Sequence, residues 1–191
     1  MVTGAMLALL DALGANEARP GMRPLMEHLE GTRAVLARWG SSTDICLAGL
    51  FHSVYGAEGG RARARDANLD RRNDVRALIG PAAEELAYLY AACERRSLFT
   101  NPPDAATLTI SDMFEKRDVP VAETTLRALL EMEAANMVEG PAARINYPDS
   151  LIAQIKAGWE NARRFVTARA WADLQERFRA IDALRTAPSR T

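Results

Sequence analysis

The chain has 191 residues, of which 48% are hydrophobic, so it is long and apolar enough to bury a sizeable core. Its 24 basic and 25 acidic residues nearly cancel, which argues against nucleic acid or an anionic membrane surface as a partner. No apolar run approaches the roughly 20 residues of a membrane helix, and both cysteines lie among apolar neighbours, so we expect a cytoplasmic protein with reduced thiols.

The first segments of the chain predict helices that end at glycines. Residues 5–13 form a short helix closed by Gly14. A longer helix begins near Pro24, carries apolar residues at spacings of three and four as far as Trp39, and stops at Gly40. This periodicity predicts one buried face, on which His28 lies.

The next helix contains the polar groups that are of most interest. Ser41 or Ser42 caps it, and an apolar run over 45–56 follows. Polar side chains at the end of a buried run often line a site. The last turn of this helix is expected to carry three of them: His52, Ser53 and Tyr55.

The second half of the chain is predicted to be helical with one extended insertion. Residues rich in β-branched side chains at 107–110 and 119–121 predict a small hairpin or extended insertion near 105–121. Helices are predicted over 74–79, 82–93, 122–138, 148–158 and 161–184. The fold class is therefore all-α, and we divide the chain into an N-terminal helix and loop (1–23), a helical core (24–140), C-terminal helices that pack on the core (141–185) and a tail (186–191).

The run Leu25-Met26-Glu27-His28-Leu29, followed by Leu50-Phe51-His52-Ser53-Val54-Tyr55-Gly56, resembles the opening of HD-domain proteins. The similarity is to the hydrolase domain of guanosine tetraphosphate synthetase/hydrolases, and to uncharacterised actinobacterial HD-like proteins that share the second run. It extends over roughly residues 24–139 and implies an HD-domain-like helical bundle. In that family a histidine, a His-Asp pair and a later aspartate bind a divalent metal, and they correspond to His28, His52, Ser53 and Asn136.

The departures from the family pattern concern its carboxylates. Ser53 and Asn136 offer neutral groups where the family has aspartates, and Gly56 and Ala57 replace a Glu-Asp pair that orients the attacking water. Catalytic zinc sites usually have three protein ligands. We therefore expect no metal or other cofactor; a divalent metal, if one were bound, would use His28 and His52.

Three hypotheses about function follow. The first is a degenerate HD-like domain that binds a small molecule, anionic or neutral, in a pocket formed by His28, His52, Ser53, Tyr55 and Asn136. The second is a metal-independent acid/base enzyme in the same pocket, with an imidazole as the base. The third is a weakly metal-dependent phosphohydrolase. Asn136, inside a helix, needs a polar partner, for which His52 or Ser53 would serve.

Other parts of the chain suggest weaker interactions. The arginines after the site helix indicate a minor anion-binding surface formed by Arg61, Arg63, Arg65 and Arg72. The expected partner is a small molecule, with neither nucleic acid nor membrane, and a homodimer would use the C-terminal helices.

Overall fold

A computed structural model describes residues 2–13, 15, 24–56, 68–102, 105–140 and 147–186. Within these residues the fold is mostly α-helical with one two-stranded hairpin, which confirms the predicted class and insertion. The helices are α1 (Gly4–Ala12), α2 (Leu25–Trp39), α3 (Thr43–Leu50), α4 (Arg72–Ile79), α5 (Pro81–Ala92), α6 (Glu123–Glu139), α7 (Asp149–Ala162) and α8 (Ala168–Thr186). The strands are β1 (Leu108–Asp112) and β2 (Arg117–Val121), and short 3-10 helices lie at Leu69–Arg71, Arg95–Phe99 and Arg163–Phe165.

Helices α2, α3 and α6 pack together at the centre of the fold. Gly40 ends α2 with a φ of 88°, a left-handed conformation that glycine adopts without a steric penalty. Gly49 lets α3 approach α2 closely, because a Cβ atom at this position would lie 2.3 Å from Leu36 Cδ1.

Helix α3 is shorter than predicted. It ends at Leu50, so the prediction that His52, Ser53 and Tyr55 lie in its last turn is wrong. The Nδ1–H of His52 donates to the carbonyl of Gly49 at 2.7 Å, which satisfies one of the carbonyls that a helix end leaves free. The backbone therefore leaves the helix and continues as turns through residue 55.

The boundary between the last two helices also differs from the prediction. Helix α7 continues through Trp159 to Ala162, and the chain turns at Arg163–Phe165. Trp159 is almost completely buried and its ring contacts Phe99 edge to face at 4.9 Å. This packing stabilises residues 159–162 as a continuation of helix α7.

One apolar core extends from Met6 in α1 to Ile181 in α8. Within the described residues only Tyr147 and Leu184 are large hydrophobic residues with exposed side chains. Neither residue identifies an interface, and the homodimer through the C-terminal helices stays a prediction. None of the helices in the described ranges is long and apolar enough to cross a membrane.

Candidate functional site

His28 is part of α2, and its side chain faces the end of α6. Its Nδ1 contacts the carboxylate of Glu139, and its Nε2 lies 2.8 Å from Asn136 Oδ1. Asn136 and Glu139 are three residues apart and therefore share one face of α6. The His28 side chain is only 16% exposed, so both ring nitrogens are held by α6 in a mostly buried setting.

Glu139 can approach His28 because α2 has a glycine one turn after the histidine. A Cβ atom on Gly31 would lie 2.3 Å from Glu139 Oε1 and 2.7 Å from its Cδ. Glycine inside a helix normally costs stability. At this position its absence of a side chain provides the space for the carboxylate.

His52 is buried and contacts His28 edge to face, with ring centroids 5.2 Å apart. The carbonyl of Gly49 can only accept, so Nδ1 of His52 carries a proton. Burial lowers the pKa of His52 to about 3. The imidazole is therefore neutral at physiological pH.

Three of the predicted site residues are thus brought together: His28, His52 and Asn136. The partner predicted for Asn136 is wrong, since its side chain contacts His28 and not His52 or Ser53. Ser53 is partly buried, and its hydroxyl makes no hydrogen bond within the described residues. We call His28, His52, Asn136 and Glu139 the histidine cluster.

Tyr55 faces a different part of the protein. It is fully buried and donates its hydroxyl to Glu84 at 2.8 Å. Burial by itself raises the pKa of Glu84, but hydrogen bonds from Arg72, Arg76 and Tyr55 outweigh it and lower the pKa below its usual value. Tyr55 is therefore part of a buried ion-pair network and does not join the histidines.

Arg72, predicted as part of the weak anion-binding surface, is a member of this network. Its Nε lies 2.7 Å from Glu84, its Nη2 lies 2.9 Å from Glu85, and its guanidinium stacks on the Tyr88 ring at 3.7 Å. These contacts use the donors that an external anion would need. The other three arginines of that prediction, Arg61, Arg63 and Arg65, lie outside the described residues.

A second group of polar contacts connects the histidine cluster to a cavity. The ring of His52 meets that of Tyr90 at 5.5 Å, and the Tyr90 hydroxyl donates to Glu133 at 2.6 Å. Burial raises the pKa of Tyr90 well above its usual value, so this hydroxyl stays protonated. Arg95 pairs with Glu133 at 3.3 Å and covers the Tyr90 ring at 3.8 Å.

This cavity is partly open to solvent, lies between Arg95–Phe99, α6 and α7, and has a volume of about 520 Å³. Most of its lining is apolar, and its charged side chains are Arg95, Arg96 and Glu133. Apolar side chains at its wall include Phe99, Met137, Ile155 and Trp159. Glu133 and Met137 lie one turn apart on α6, the helix that also carries Asn136. A second, more polar depression of about 580 Å³ lies between the end of α7 and the start of α8.

Sequence reasoning missed Glu139 and the cavity. The one signal for Glu139 is Gly31, an unfavourable residue in the interior of a helix that also carries His28. Arg95 and Arg96 come three and four residues after the end of α5, but an arginine pair near a helix end is usually solvated and gives no indication of a cavity. The contribution of α7 to the cavity depends on tertiary packing alone.

The donors at the histidine cluster do not fit a metal ion. Glu139 and Asn136 take both nitrogens of His28, and the Gly49 carbonyl takes Nδ1 of His52. Across the described ranges, no three His, Cys, Asp or Glu side chains are grouped so that they could hold a metal. Hydrogen bonds from α6 engage the imidazole that a metal would need.

A family model described as "Domain of unknown function (DUF6817)" matches residues 9–95, which is less than half of the chain. The matched segment includes both histidines but not Asn136, Glu139 or α7. No curated protein and no solved structure matches the chain significantly.

Proposed function

We propose that the protein is a metal-independent binding domain for a small organic molecule, built on an HD-like helical core. The observation that carries this proposal is the mostly apolar cavity of about 520 Å³ next to the histidine cluster. Cavities of roughly 300–1,000 Å³ with a few polar groups are typical of small-molecule sites. The binding site is therefore one turn along α6 from the pocket predicted from the sequence.

The positions of His28, His52 and Asn136 support the HD-like part of the proposal. The resemblance assigns these three residues to one metal site, and their side chains are adjacent although they come from different elements. Ser53 is the exception, because its hydroxyl does not join them. In this chain hydrogen bonds occupy the place of metal coordination, and we assign the cluster a role in positioning α6.

Acid/base catalysis has less support. A general base needs a ring nitrogen that can reach the substrate, whereas both nitrogens of His28 are engaged and His52 is buried. Metal-dependent phosphate hydrolysis has the least support, since the carboxylates that the family uses are replaced.

A thermal-shift screen of nucleotides, phosphosugars and organic carboxylates tests the binding function. A ligand at about 100 times its Kd adds about 2.7 kcal/mol to the stability of the folded state, whether or not it is turned over. We expect at least one compound to raise the melting temperature of the wild type, and Ala157→Trp to abolish the shift. Ala157 lines the cavity and is exposed, so a tryptophan blocks the cavity without changing the core.

Ala153→Trp is the matched control. Ala153 is exposed one turn earlier on α7 and is not part of the cavity wall. It should keep the full shift. A screen with no stabilising compound, or shifts that both variants keep, would contradict binding in this cavity.

Metal analysis of protein purified without chelator tests the metal-independent part. We expect far less than one metal ion per chain. Stoichiometric metal that His52→Ala loses would show that the protein is a metalloprotein.

A further inference from the structure

The charged side chains of the cavity are unequally compensated. Glu133 accepts a hydrogen bond from Tyr90 and forms an ion pair with Arg95, and one guanidinium nitrogen of Arg95 contacts the sulfur and the carbonyl oxygen of Cys93. The charges of Arg95 and Glu133 therefore cancel at the cavity wall. The donors of Arg95 are largely used within the protein.

Arg96 is different from its neighbour. Its side chain is exposed and lines the same cavity, and within the described residues it forms no ion pair or hydrogen bond. With Arg95 paired to Glu133, Arg96 leaves an excess of one positive charge among the described groups of the wall. A guanidinium binds a carboxylate through two parallel N–H···O bonds.

The rest of the wall indicates what this charge would accompany. Phe99 and Ile155 are partly exposed at the wall and Leu151 adds aliphatic surface, whereas Trp159 and Met137 are almost completely buried. Such a surface stabilises an apolar body through its loss of contact with water. It disfavours a small, highly charged anion such as free phosphate, whose lost hydration one exposed arginine cannot replace.

We propose that the cavity binds an amphipathic organic carboxylate, with the carboxylate on Arg96 and the apolar body against Phe99, Leu151 and Ile155. This assignment rests on the proposed binding function and adds to it the chemical class and the orientation of the ligand. It also moves the anion-binding group from the arginines predicted after α3 to the residues that follow α5.

Isothermal titration calorimetry with three related probes tests the assignment: indole-3-butyrate, its neutral amide and the cation tryptamine. The carboxylate should bind about fivefold more tightly than the amide, the upper range for an ion pair with an exposed arginine. Tryptamine should bind more weakly than the amide. The preference for the carboxylate should decrease with added salt.

Arg96→Gln should reduce the preference for the carboxylate to about one while leaving the affinity for the amide unchanged. Arg96→Lys should keep part of the preference. Arg179→Gln serves as the matched control, because Arg179 is exposed on α8 away from the cavity and forms no ion pair within the described residues. Circular dichroism of each variant confirms folding.

The results separate this assignment from the proposed function. If the carboxylate and the amide bind equally and Ala157→Trp abolishes both, the cavity is a binding site and the charge preference is wrong. If Arg96→Gln weakens both probes alike, Arg96 does not bind the carboxylate. If neither probe binds the wild type, the ligand class is wrong, whatever the broader screen finds.

Discussion

Replacement of Gly31 by alanine tests how the histidine cluster is built. In the interior of an exposed helix this change stabilises a protein by about 1 kcal/mol. In this chain the added Cβ atom would lie 2.3 Å from Glu139 Oε1, so the carboxylate must move away from His28. A hydrogen bond to a charged group contributes roughly 1.5–3 kcal/mol, and the pair is mostly buried. We therefore expect a net destabilisation of about 0.5–2 kcal/mol.

Urea unfolding followed by circular dichroism measures this free energy. The decisive comparison repeats Gly31→Ala in a Glu139→Ala background, where the carboxylate is absent. The same substitution should then stabilise by about 1 kcal/mol, so the two effects differ by roughly 1.5–3 kcal/mol. If Gly31→Ala changed the free energy of unfolding equally in both backgrounds, the close approach of Glu139 would not explain why residue 31 is a glycine.

Three further predictions concern the surrounding structure. His52 has a pKa of about 3 when folded and about 6.5 when unfolded, so its contribution to the free energy of unfolding is present above pH 6.5 and is lost as the pH falls towards 3. Between pH 7 and 5 this contribution should decrease by about 2 kcal/mol. In urea unfolding at several pH values, His52→Gln should remove this part of the pH dependence, whereas an unchanged pH dependence would argue against a buried neutral imidazole. Glu84→Ala should destabilise by about 3 kcal/mol in urea unfolding, since it leaves the buried hydroxyl of Tyr55 unpaired and removes the ion-pair partner of Arg72 and Arg76. A loss below about 0.5 kcal/mol would show that water replaces the carboxylate. Gly49→Ala should lower the melting temperature because its Cβ would meet Leu36; a melting temperature at or above that of the wild type would show that the helices separate without loss.

Local sequence determines much of the secondary structure of this protein. The periodic apolar residues of α2 and α6, and Gly40 after α2, place these helices within a residue or two of where they occur. The β-branched residues of β1 and the chain that returns as β2 predict the hairpin. These features depend on contacts between residues close in the chain, which is why a linear pattern reveals them.

The site depends on contacts that no local pattern contains. The proximity of His28, His52 and Asn136 could be predicted only through the HD-like resemblance, while Tyr55 is directed to Glu84 because α3 ends early and the chain turns.

The contact between Glu139 and His28 and the position of the cavity could not be predicted from the sequence for the same reason. Glu139 reaches His28 across 111 positions of the chain through the space left by Gly31. The cavity exists only where α7 packs beside Arg95–Phe99 and α6. The sequence by itself thus predicted most of the helices and singled out the two histidines. Tertiary packing decided which groups surround the histidines and where a ligand can bind.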